Sequence, residues 1–468
     1  MQKKIALRLL PSRATGELFI KEHIAEHAGI TTAQVSGFHI LKRSVDARGR
    51  QVWINLTVHA FIDEPFRQST LPDFHFKDVT RATVTAVIIG GGPAGLFAAL
   101  QLIEKGIRPV ILERGKDVRA RRRDLAILNR EGIINTESNY CFGEGGAGTY
   151  SDGKLYTRSN KRGDVKRILN LFVHFGAEEN ILYDAHPHIG TNKLPHIITA
   201  MRKTIEDYGG LFLFEKKVVD LIIERNTVKA ATTHDGNVFE ANAFILATGH
   251  SARDIYRLLD HKKIHIELKP FALGIRIEHP QQLIDQIQYH SFPGTASGHS
   301  SSVNLPPASY SLVTQANQRG VFSFCMCPGG IIAPAATGAG ELVVNGWSPS
   351  KRNNPYANSG IVVTVEEKDV QAFRNHGALA AMYFQESIER KAYNAGGGKF
   401  AAPAQRMVDF AENNASSTLP RCSYLPGVTA TSLEAVFPSF IYRTLQEGLI
   451  AFGKKMKGYY SNEAIVVA

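Results

Sequence analysis

The spacing of hydrophobic and polar residues changes along this chain, and the changes mark its organisation. In the first part, strict alternation predicts strands at 5–10, 38–45 and 52–62, and an apolar residue every three or four positions predicts a helix at 15–27. These elements predict a small βαββ module in residues 1–78. The module is rich in Lys and Arg, which favours a role as scaffold or interface, with RNA contact as a minor alternative.

A different pattern begins at residue 84, where short continuous apolar runs replace the alternation. Such runs are typical of parallel strands that are buried on both faces. The run 84–89 leads into Gly90-x-Gly92-x-x-Gly95 and then into an Ala- and Leu-rich helical pattern. This spacing predicts a tight turn at Gly90, close approach of a pyrophosphate at Gly92 and close helix–strand packing at Gly95. The first helical residues, Pro93 and Ala94, would then face the phosphates.

Two further strands support a nucleotide site. The run 108–112 ends at Glu113, whose carboxylate is placed to bind the hydroxyl groups of an adenosine ribose. Arg114 and Arg122 in the arginine-rich segment that follows are candidates for the pyrophosphate, because guanidinium makes bidentate phosphate contacts. A later apolar strand delivers small residues beside the cofactor, namely Ala247, Thr248 and Gly249.

Residues 143–154 are too rich in glycine for a regular helix or strand. A loop that allows close backbone approach to a flat or anionic ligand is the better interpretation, and its central residues are Gly145, Gly146, Ala147 and Gly148. A second loop, 184–193, contains His186 and His188. The absence of further ligands at suitable spacing disfavours a metal site and favours a substrate-facing loop or a structural turn.

Residues 262–425 contain longer alternating strands and loops rich in glycine and proline, which predict a mixed or antiparallel sheet. A helix at 440–455 and a strand from residue 463 close the chain. The overall pattern is therefore α/β, with a second sheet-containing domain after the nucleotide-binding strands.

Composition narrows the functional classes. The 54 Lys and Arg residues exceed the 43 Asp and Glu residues, for a formal net charge of +11, which favours anionic ligands. There is no long polybasic tail, so a solvated basic surface and a phosphate-rich cofactor are favoured over nucleic acid. The four cysteines are too few and too scattered for a disulfide framework or a zinc site. A cytoplasmic protein without membrane span and without metal is expected; its oligomeric state stays open.

Several motifs carry a resemblance to a known family. The order GGGPAGL, Glu113-Arg114 and Ala247-Thr248-Gly249 resembles the FAD-binding class that includes glutathione reductase and p-hydroxybenzoate hydroxylase. NYCFGEGGAGTYSDGKL, DAHPHIGTNKL, KPFALGIR, FSFCMCPGG and NGWSPSKR look like the bacterial family of uncharacterised FAD-dependent dehydrogenases, over essentially the whole chain. The resemblance implies FAD as the cofactor and places the backbone of Val218 beside the adenine. NAD(P)H is a candidate transient electron donor.

The resemblance also implies a domain plan. A Rossmann-like FAD-binding domain of the hydroxylase-like (GR2) type is interrupted by a mixed α+β substrate or cap domain and is preceded by the βαββ module. The expected ranges are 1–78 for the module, 82–260 for the FAD-binding domain, 261–430 for the cap domain and 431–468 for a return to the FAD-binding domain. The family's final glycine-rich strand–loop–helix, which reaches the flavin ring, is not found before Ala468.

The expected function is an FAD-dependent oxidoreductase, a dehydrogenase or reductase, that acts on an unidentified small or lipid-like organic substrate. Cys325 and Cys327 would share one face of a strand and are candidates for a redox or nucleophilic pair, although free cysteines are more often buried small hydrophobes. Arg276, His188 and Lys193 are candidates for an acidic substrate group. The alternatives are a flavin-dependent RNA-modifying enzyme and a non-catalytic flavin-binding protein.

Overall fold

The structure, a computed structural model, describes residues 1–157, 163–290 and 304–468. In chain order the strands are β1 (Gln2–Leu9), β2 (Val35–Asp46), β3 (Trp53–Ile62), β4 (Thr85–Ile89), β5 (Arg108–Leu112), β6 (Leu211–Leu213), β7 (Val218–Glu224), β8 (Thr227–Thr233), β9 (Val238–Glu240), β10 (Ala243–Leu246), β11 (Phe271–Pro280), β12 (Val313–Ala316), β13 (Arg319–Cys327), β14 (Ile331–Pro334), β15 (Val344–Trp347), β16 (Tyr356–Val365), β17 (Ala402–Arg406), β18 (Val428–Ala430) and β19 (Ile465–Val467).

The α-helices lie between these strands. They are α1 (Glu17–Ala28), α2 (Pro93–Glu104), α3 (Val118–Glu131), α4 (Val165–His174), α5 (Leu194–Asp207), α6 (Arg253–His261), α7 (Gln281–Tyr289), α8 (Ala380–Ala395), α9 (Met407–Ala411) and α10 (Ser439–Lys455). In the described ranges, no helix is both long enough and apolar enough to cross a bilayer.

The N-terminal module is an antiparallel sheet in the order β1-β3-β2 with α1 packed against it. Its core is formed by alternate residues of the central strand β3, such as Val58 and Ala60, and by Ile20 and Ile24 of α1. The predicted βαββ order is therefore found. Arg43 on β2 joins the module to the rest of the chain through a two-point ion pair with Asp184, with distances of 2.6 and 2.9 Å.

The second unit is a parallel sheet in the order β10-β4-β5-β6. Its central strand β4 is apolar on both faces because each face is covered. Ile88 packs with α2 and α5, whereas Val87 and Ile89 pack on the opposite side with α6 and the antiparallel sheet β7-β8-β9. The chain runs from β4 to β5 on one side and returns as β10 on the other. This reversal opens a crevice at the carboxyl ends of the strands, where such sheets bind ligands.

The third unit is a seven-stranded mixed sheet in the order β12-β13-β16-β11-β19-β17-β18. Helix α10 packs on β12, β13 and β16, and α8 packs on β17. The expected α/β fold, with a Rossmann-like domain, a mixed second domain and a βαββ module, is thus confirmed.

The last segment of the chain differs from the expectation that residues 431–468 return to the nucleotide-binding sheet. Strand β19 is antiparallel to both β11 and β17, with Val467 opposite Arg276 on one side and opposite Ala404 on the other. The physical reason is burial, because Ile465, Val466 and Val467 are almost wholly inaccessible between two strands of the mixed sheet.

Candidate functional site

A cavity of about 410 Å³ lies at the carboxyl ends of β4, β5 and β10, where the strand order reverses. Most of the residues that the sequence analysis assigned to the cofactor line it. They are Gly90, Gly92, Pro93, Ala94, Glu113, Arg114, Gly146, Ala147, Gly148, Val218, Ala247, Thr248 and Gly249. Residues that are distant in the sequence therefore meet around one space.

The turn after β4 is built by close backbone contacts. Gly90 has a φ of +109°, and a Cβ atom there would lie 2.5 Å from the carbonyl oxygen of Ala247. Gly95 does not line the cavity, but a Cβ on it would lie 2.1 Å from the carbonyl oxygen of Gly90. Its role is the predicted one of holding α2 against the turn. Gly92 precedes α2 and has no side chain to cap it, so the N-terminal N–H groups of the helix remain uncapped by a side chain at the cavity wall.

Glu113 is only 4% exposed, and its carboxylate organises the surrounding loops. It accepts hydrogen bonds from the backbone N–H groups of Gly91 (2.8 Å), Gly115 (2.9 Å) and Gly143 (3.0 Å). An ionised carboxylate offers about four lone-pair positions, so roughly one remains for a ligand. The carboxylate therefore holds the loops around the cavity in place and also lines the cavity itself.

The arginines of the next segment have different positions. Arg114 lines the cavity, stacks 4.0 Å from the ring centre of Phe142, and forms ion pairs with Glu137 (2.6 Å) and Asp254 (3.0 Å). Arg122, which was expected at the pyrophosphate, is exposed on α3 and does not line the cavity.

The buried member of the run is Arg121, which is 0% exposed. It donates hydrogen bonds to the carbonyl oxygens of Asn139 (2.8 Å), Tyr140 (3.0 Å) and Glu144 (2.8 Å) and so fixes the start of the glycine-rich loop. Helical spacing could have identified it, because Arg121 shares a face with the buried Leu125 and Leu128.

The glycine-rich loop lies directly over the turn. Gly145 has a φ of +75° and donates its N–H to the carbonyl oxygen of Gly91 at 2.9 Å, although it does not itself line the cavity. A Cβ on Gly148 would lie 2.9 Å from the ring of Pro93. The loop therefore needs small residues to approach α2. Sequence reasoning missed other lining residues, among them Cys141, Lys216, Lys217, His250, Ser251 and Asp254. Of these, the adjacent lysines Lys216 and Lys217 could have been identified from the sequence, because two basic residues directly precede β7.

A second cluster of functional groups joins this loop to the mixed sheet. Lys154, at the end of the loop, places its Nζ 3.3 Å from the sulfur of Cys327 and 3.7 Å from that of Cys325. It also forms an ion pair with the buried Asp152 at 2.9 Å. Arg276 on β11 donates to the sulfur of Cys327 at 3.4 Å. The expected cysteine pair therefore lies between two cations.

The two cations lower the pKa of both thiols, so the hydrogen bond between the thiols and the deeper burial of Cys327 separate their pKa values. A hydrogen bond from the Cys327 thiol, opposed by burial and helped by the charges of Lys154 and Arg276, lowers the pKa of Cys325 to about 5. Burial raises the pKa of Cys327 above its usual value. Burial alone would lower the pKa of Lys154, but the two thiols and Asp152 outweigh it and raise that pKa. At neutral pH, Cys325 is accordingly the thiolate and Cys327 the neutral thiol.

Arg276 is 3% exposed and its guanidinium is taken up by protein groups. It donates to the side-chain oxygens of Asn358 (2.8 Å) and Asn345 (3.3 Å) and to the carbonyl oxygen of Cys325 (2.8 Å). This arrangement positions the cysteines and leaves little of the group for a substrate, in contrast to the expected substrate contact.

The other two candidates for an acidic substrate group have protein partners as well. His188 bonds the carbonyl oxygen of Ser350 at 3.2 Å and pairs with Lys154 in a single β-bridge, and burial lowers its pKa. Lys193 forms a surface ion pair with Glu178. His186, the other histidine of this loop, packs against the ring of Tyr156 with ring centres 4.8 Å apart.

Comparison with known proteins divides the chain into the same parts as its sheets. A family described as pyridine nucleotide-disulphide oxidoreductase matches residues 84–268, and one described as FAD-dependent protein, C-terminal domain-like, matches residues 270–468. A domain of unknown function matches residues 1–61. An uncharacterised protein of Clostridium beijerinckii is 35% identical over 467 residues, which covers 96% of this chain and 85% of the relative.

Other similarities are partial. The tRNA uridine 5-carboxymethylaminomethyl modification enzyme MnmG of Alkaliphilus metalliredigens is 31% identical over 173 residues, which is 36% of this chain and 24% of that enzyme. Among solved structures, a glycine oxidase of Bacillus cereus has a TM-score of 0.31 and 14% identity and covers 65% of this chain and 80% of its own. The tetracycline destructase Tet(51) has a TM-score of 0.29 and 13% identity, with coverages of 65% and 66%. Scores this low carry no argument about function.

Proposed function

Because this chain belongs to the same family of FAD-dependent oxidoreductases as the uncharacterised Clostridium protein, we propose that it binds FAD in the cavity at Gly90 and transfers electrons to or from a small organic substrate. The observation that carries the proposal is the meeting of an uncapped helix N-terminus and a buried acid at the switch point of a parallel sheet.

The residues of the cavity fit the adenosine diphosphate part of FAD. The N–H groups at the start of α2 suit the negative charge of a pyrophosphate, and Gly92 leaves room for it to approach. Glu113 would accept a hydrogen bond from a ribose hydroxyl with its remaining lone pair. The backbone of Val218 would lie beside the adenine, and Arg114 would add positive charge near the phosphates. Ala247, Thr248 and Gly249 leave space on the other wall.

Bound FAD would supply two-electron transfer, and the protein's contribution is binding, orientation and electrostatics. The glycine-rich loop forms one wall of the cavity and would exclude water from the phosphates. Its position depends on Arg121 and Glu113, which both hold the start of that loop in place. NAD(P)H is our candidate for the transient electron donor.

The RNA-modifying alternative is not favoured, because the similarity to the tRNA-modifying enzyme is confined to 24% of that enzyme's length. The four cysteines are free, which supports the further proposal of a reducing compartment such as the cytoplasm.

The test is flavin identification followed by a reduction assay. The protein is purified, its flavin is released and identified by chromatography, and protein without flavin is titrated with FAD and with FMN. We expect selective uptake of FAD, because the cavity provides groups for an adenosine that FMN lacks. Loss of the flavin absorbance on anaerobic addition of NADH or NADPH would identify the donor. A colourless protein that takes up no added FAD would overturn the proposal.

A further inference from the structure

We propose that Cys325 and Cys327 form a thiol–disulfide exchange site, in which Cys325 attacks a small disulfide and Cys327 then resolves the mixed disulfide. This activity goes beyond the flavin chemistry proposed above. It uses side chains of the mixed sheet and of the loop end at Lys154, and it needs no bound cofactor.

The two sulfurs converge on one cation. Both are free thiols, and both lie within hydrogen-bonding distance of the same ammonium group, that of Lys154. The Cys327 thiol has two acceptors within reach, the carbonyl oxygen of Cys325 at 3.3 Å and the Cys325 sulfur. A pair of hydrogen-bonded thiols beside a cation has the arrangement that exchange with a disulfide requires.

The two thiols differ in their access to solvent. Cys327 is 0% exposed, whereas Cys325 is partly exposed and follows Phe324, an aromatic side chain that is 62% exposed. The accessible thiol is also the one whose pKa is lowered, first by the hydrogen bond from Cys327 and then by the charges of Lys154 and Arg276. Attack on an external disulfide therefore falls to Cys325, and resolution from the inside falls to Cys327.

The backbone of β13 is irregular at the two cysteines. The pairing of β13 with β16 shifts its register between Phe324 and Cys327, and Cys325 itself has a φ of +48°. Such irregularities re-aim side chains and are frequent beside functional sites. Here the irregularity coincides with the hydrogen bond from Arg276 to the Cys325 carbonyl, so Arg276 acts as a positioning residue.

The reaction balances without another reactant. The Cys325 thiolate forms a bond to one sulfur of the disulfide R–S–S–R, the S–S bond breaks, and one thiolate R–S⁻ leaves. Cys327 then loses its proton to solvent and attacks the Cys325 sulfur, and the second thiolate leaves. The protein has lost two electrons as its dithiol becomes a disulfide, and the substrate disulfide has gained them.

The other two cysteines serve as internal controls. Cys141 donates its thiol to the carbonyl oxygen of Ala335 at 3.4 Å, and burial raises its pKa. Burial, followed by the nearby charge of Glu278, raises the pKa of Cys422. Neither is placed to react as a thiolate at neutral pH.

The first experiment uses 5,5′-dithiobis(2-nitrobenzoate) as the disulfide. Native protein should rapidly release two thionitrobenzoate ions per chain, and mass spectrometry should find the peptide with Cys325 and Cys327 short of two hydrogen atoms, a change that dithiothreitol reverses. Cys327→Ser should release one ion and retain a mixed disulfide on Cys325. Cys325→Ser should lose the rapid phase. Native protein that stops at a stable mixed disulfide, or that reacts first at Cys141 or Cys422, would overturn the proposal.

The second experiment tests the electrostatics. The charged and titratable groups around Cys325 are Lys154, Arg276, Asp152 and the Cys327 thiol, with Arg352 paired to Asp152 at 3.4 Å. The rate of the first release should follow the thiolate and reach half its maximum near pH 5. Lys154→Met should raise this midpoint by roughly one pH unit or more, because a cation is lost. The exposed Lys203→Met is the matched control. If Lys154→Met folds normally by circular dichroism and has the same pH profile as the native protein, the proposed role of Lys154 is contradicted.

Discussion

The nucleotide cavity and the thiol cluster lie at the two ends of one glycine-rich loop, yet they are built in opposite ways. The cavity is formed largely by backbone, at turns such as Gly90 and by N–H groups that converge on Glu113. The cluster is formed by the side chains of Lys154, Arg276 and the two cysteines, which three separate segments bring together.

This difference explains which site tolerates change. A backbone site depends on the absence of Cβ atoms and on loops held within a few tenths of an ångström, so any added atom is felt. A side-chain site depends on charge, so a variant of similar shape can change its chemistry and leave the fold intact. The following predictions test that contrast, from the largest expected effect to the smallest.

Gly95→Val should have the largest effect. Its Cβ would meet the carbonyl oxygen of Gly90 at 2.1 Å, so α2 must move away from the turn. We expect FAD affinity, measured by titration, to fall by about a hundredfold or more and the melting temperature to decrease. Gly49→Ala is the control, because a Cβ there meets nothing within 4 Å. Normal FAD uptake by Gly95→Val would show that the helix does not need this contact.

Glu113→Gln should have a smaller effect at the same site. The amide can still accept hydrogen bonds with its oxygen, but its NH₂ group faces N–H donors that the carboxylate satisfied. We expect a loss of about 1–3 kcal/mol in the free energy of unfolding and roughly tenfold weaker FAD binding, measured by urea denaturation and titration. The exposed Glu240→Gln should match the native protein. If Glu113→Gln also matches the native protein in stability and FAD binding, the three N–H contacts are not important for the site.

Glu278→Gln should have the smallest effect, in the pH dependence of stability. Glu278 is buried on β11 and accepts hydrogen bonds from the N–H group (2.8 Å) and the hydroxyl of Ser423, and burial raises its pKa to about 7. The folded protein therefore binds more protons than the unfolded chain between about pH 4.3 and 7, so this carboxyl makes stability fall as pH rises through that window.

The measurement is urea denaturation at several pH values. The neighbouring His279 contributes the opposite slope, since burial lowers its pKa to about 4 and its contribution to stability is lost as pH falls from about 6.5 towards 4. The informative quantity is therefore the difference between Glu278→Gln and native protein. This difference should change by at most about 1.4 kcal/mol per pH unit below pH 7 and be constant above it. If this difference in the free energy of unfolding does not vary with pH, Glu278 does not titrate in this window. The exposed Glu434→Gln is the control variant.

The sequence by itself determined the nucleotide-binding turn, because its information is local. Gly90 has a positive φ and Gly95 packs against the carbonyl oxygen of Gly90, so both requirements lie within six residues. A continuous apolar run is required of a strand covered on both faces. The same kind of local pattern predicted strands β1 to β5 and helices α1 and α10 to within a few residues. The position of Glu113 at the end of the next strand followed from the same βαβ unit.

Only the tertiary structure decided which side chains meet. The sheet that receives β19 is set by its pairing with β11 and β17. Lys154 lies 171 positions before Cys325, and no spacing rule joins them. The pKa difference between the two cysteines comes first from the hydrogen bond between them and from burial, and the burial, like the nearby cations, comes from packing between distant segments.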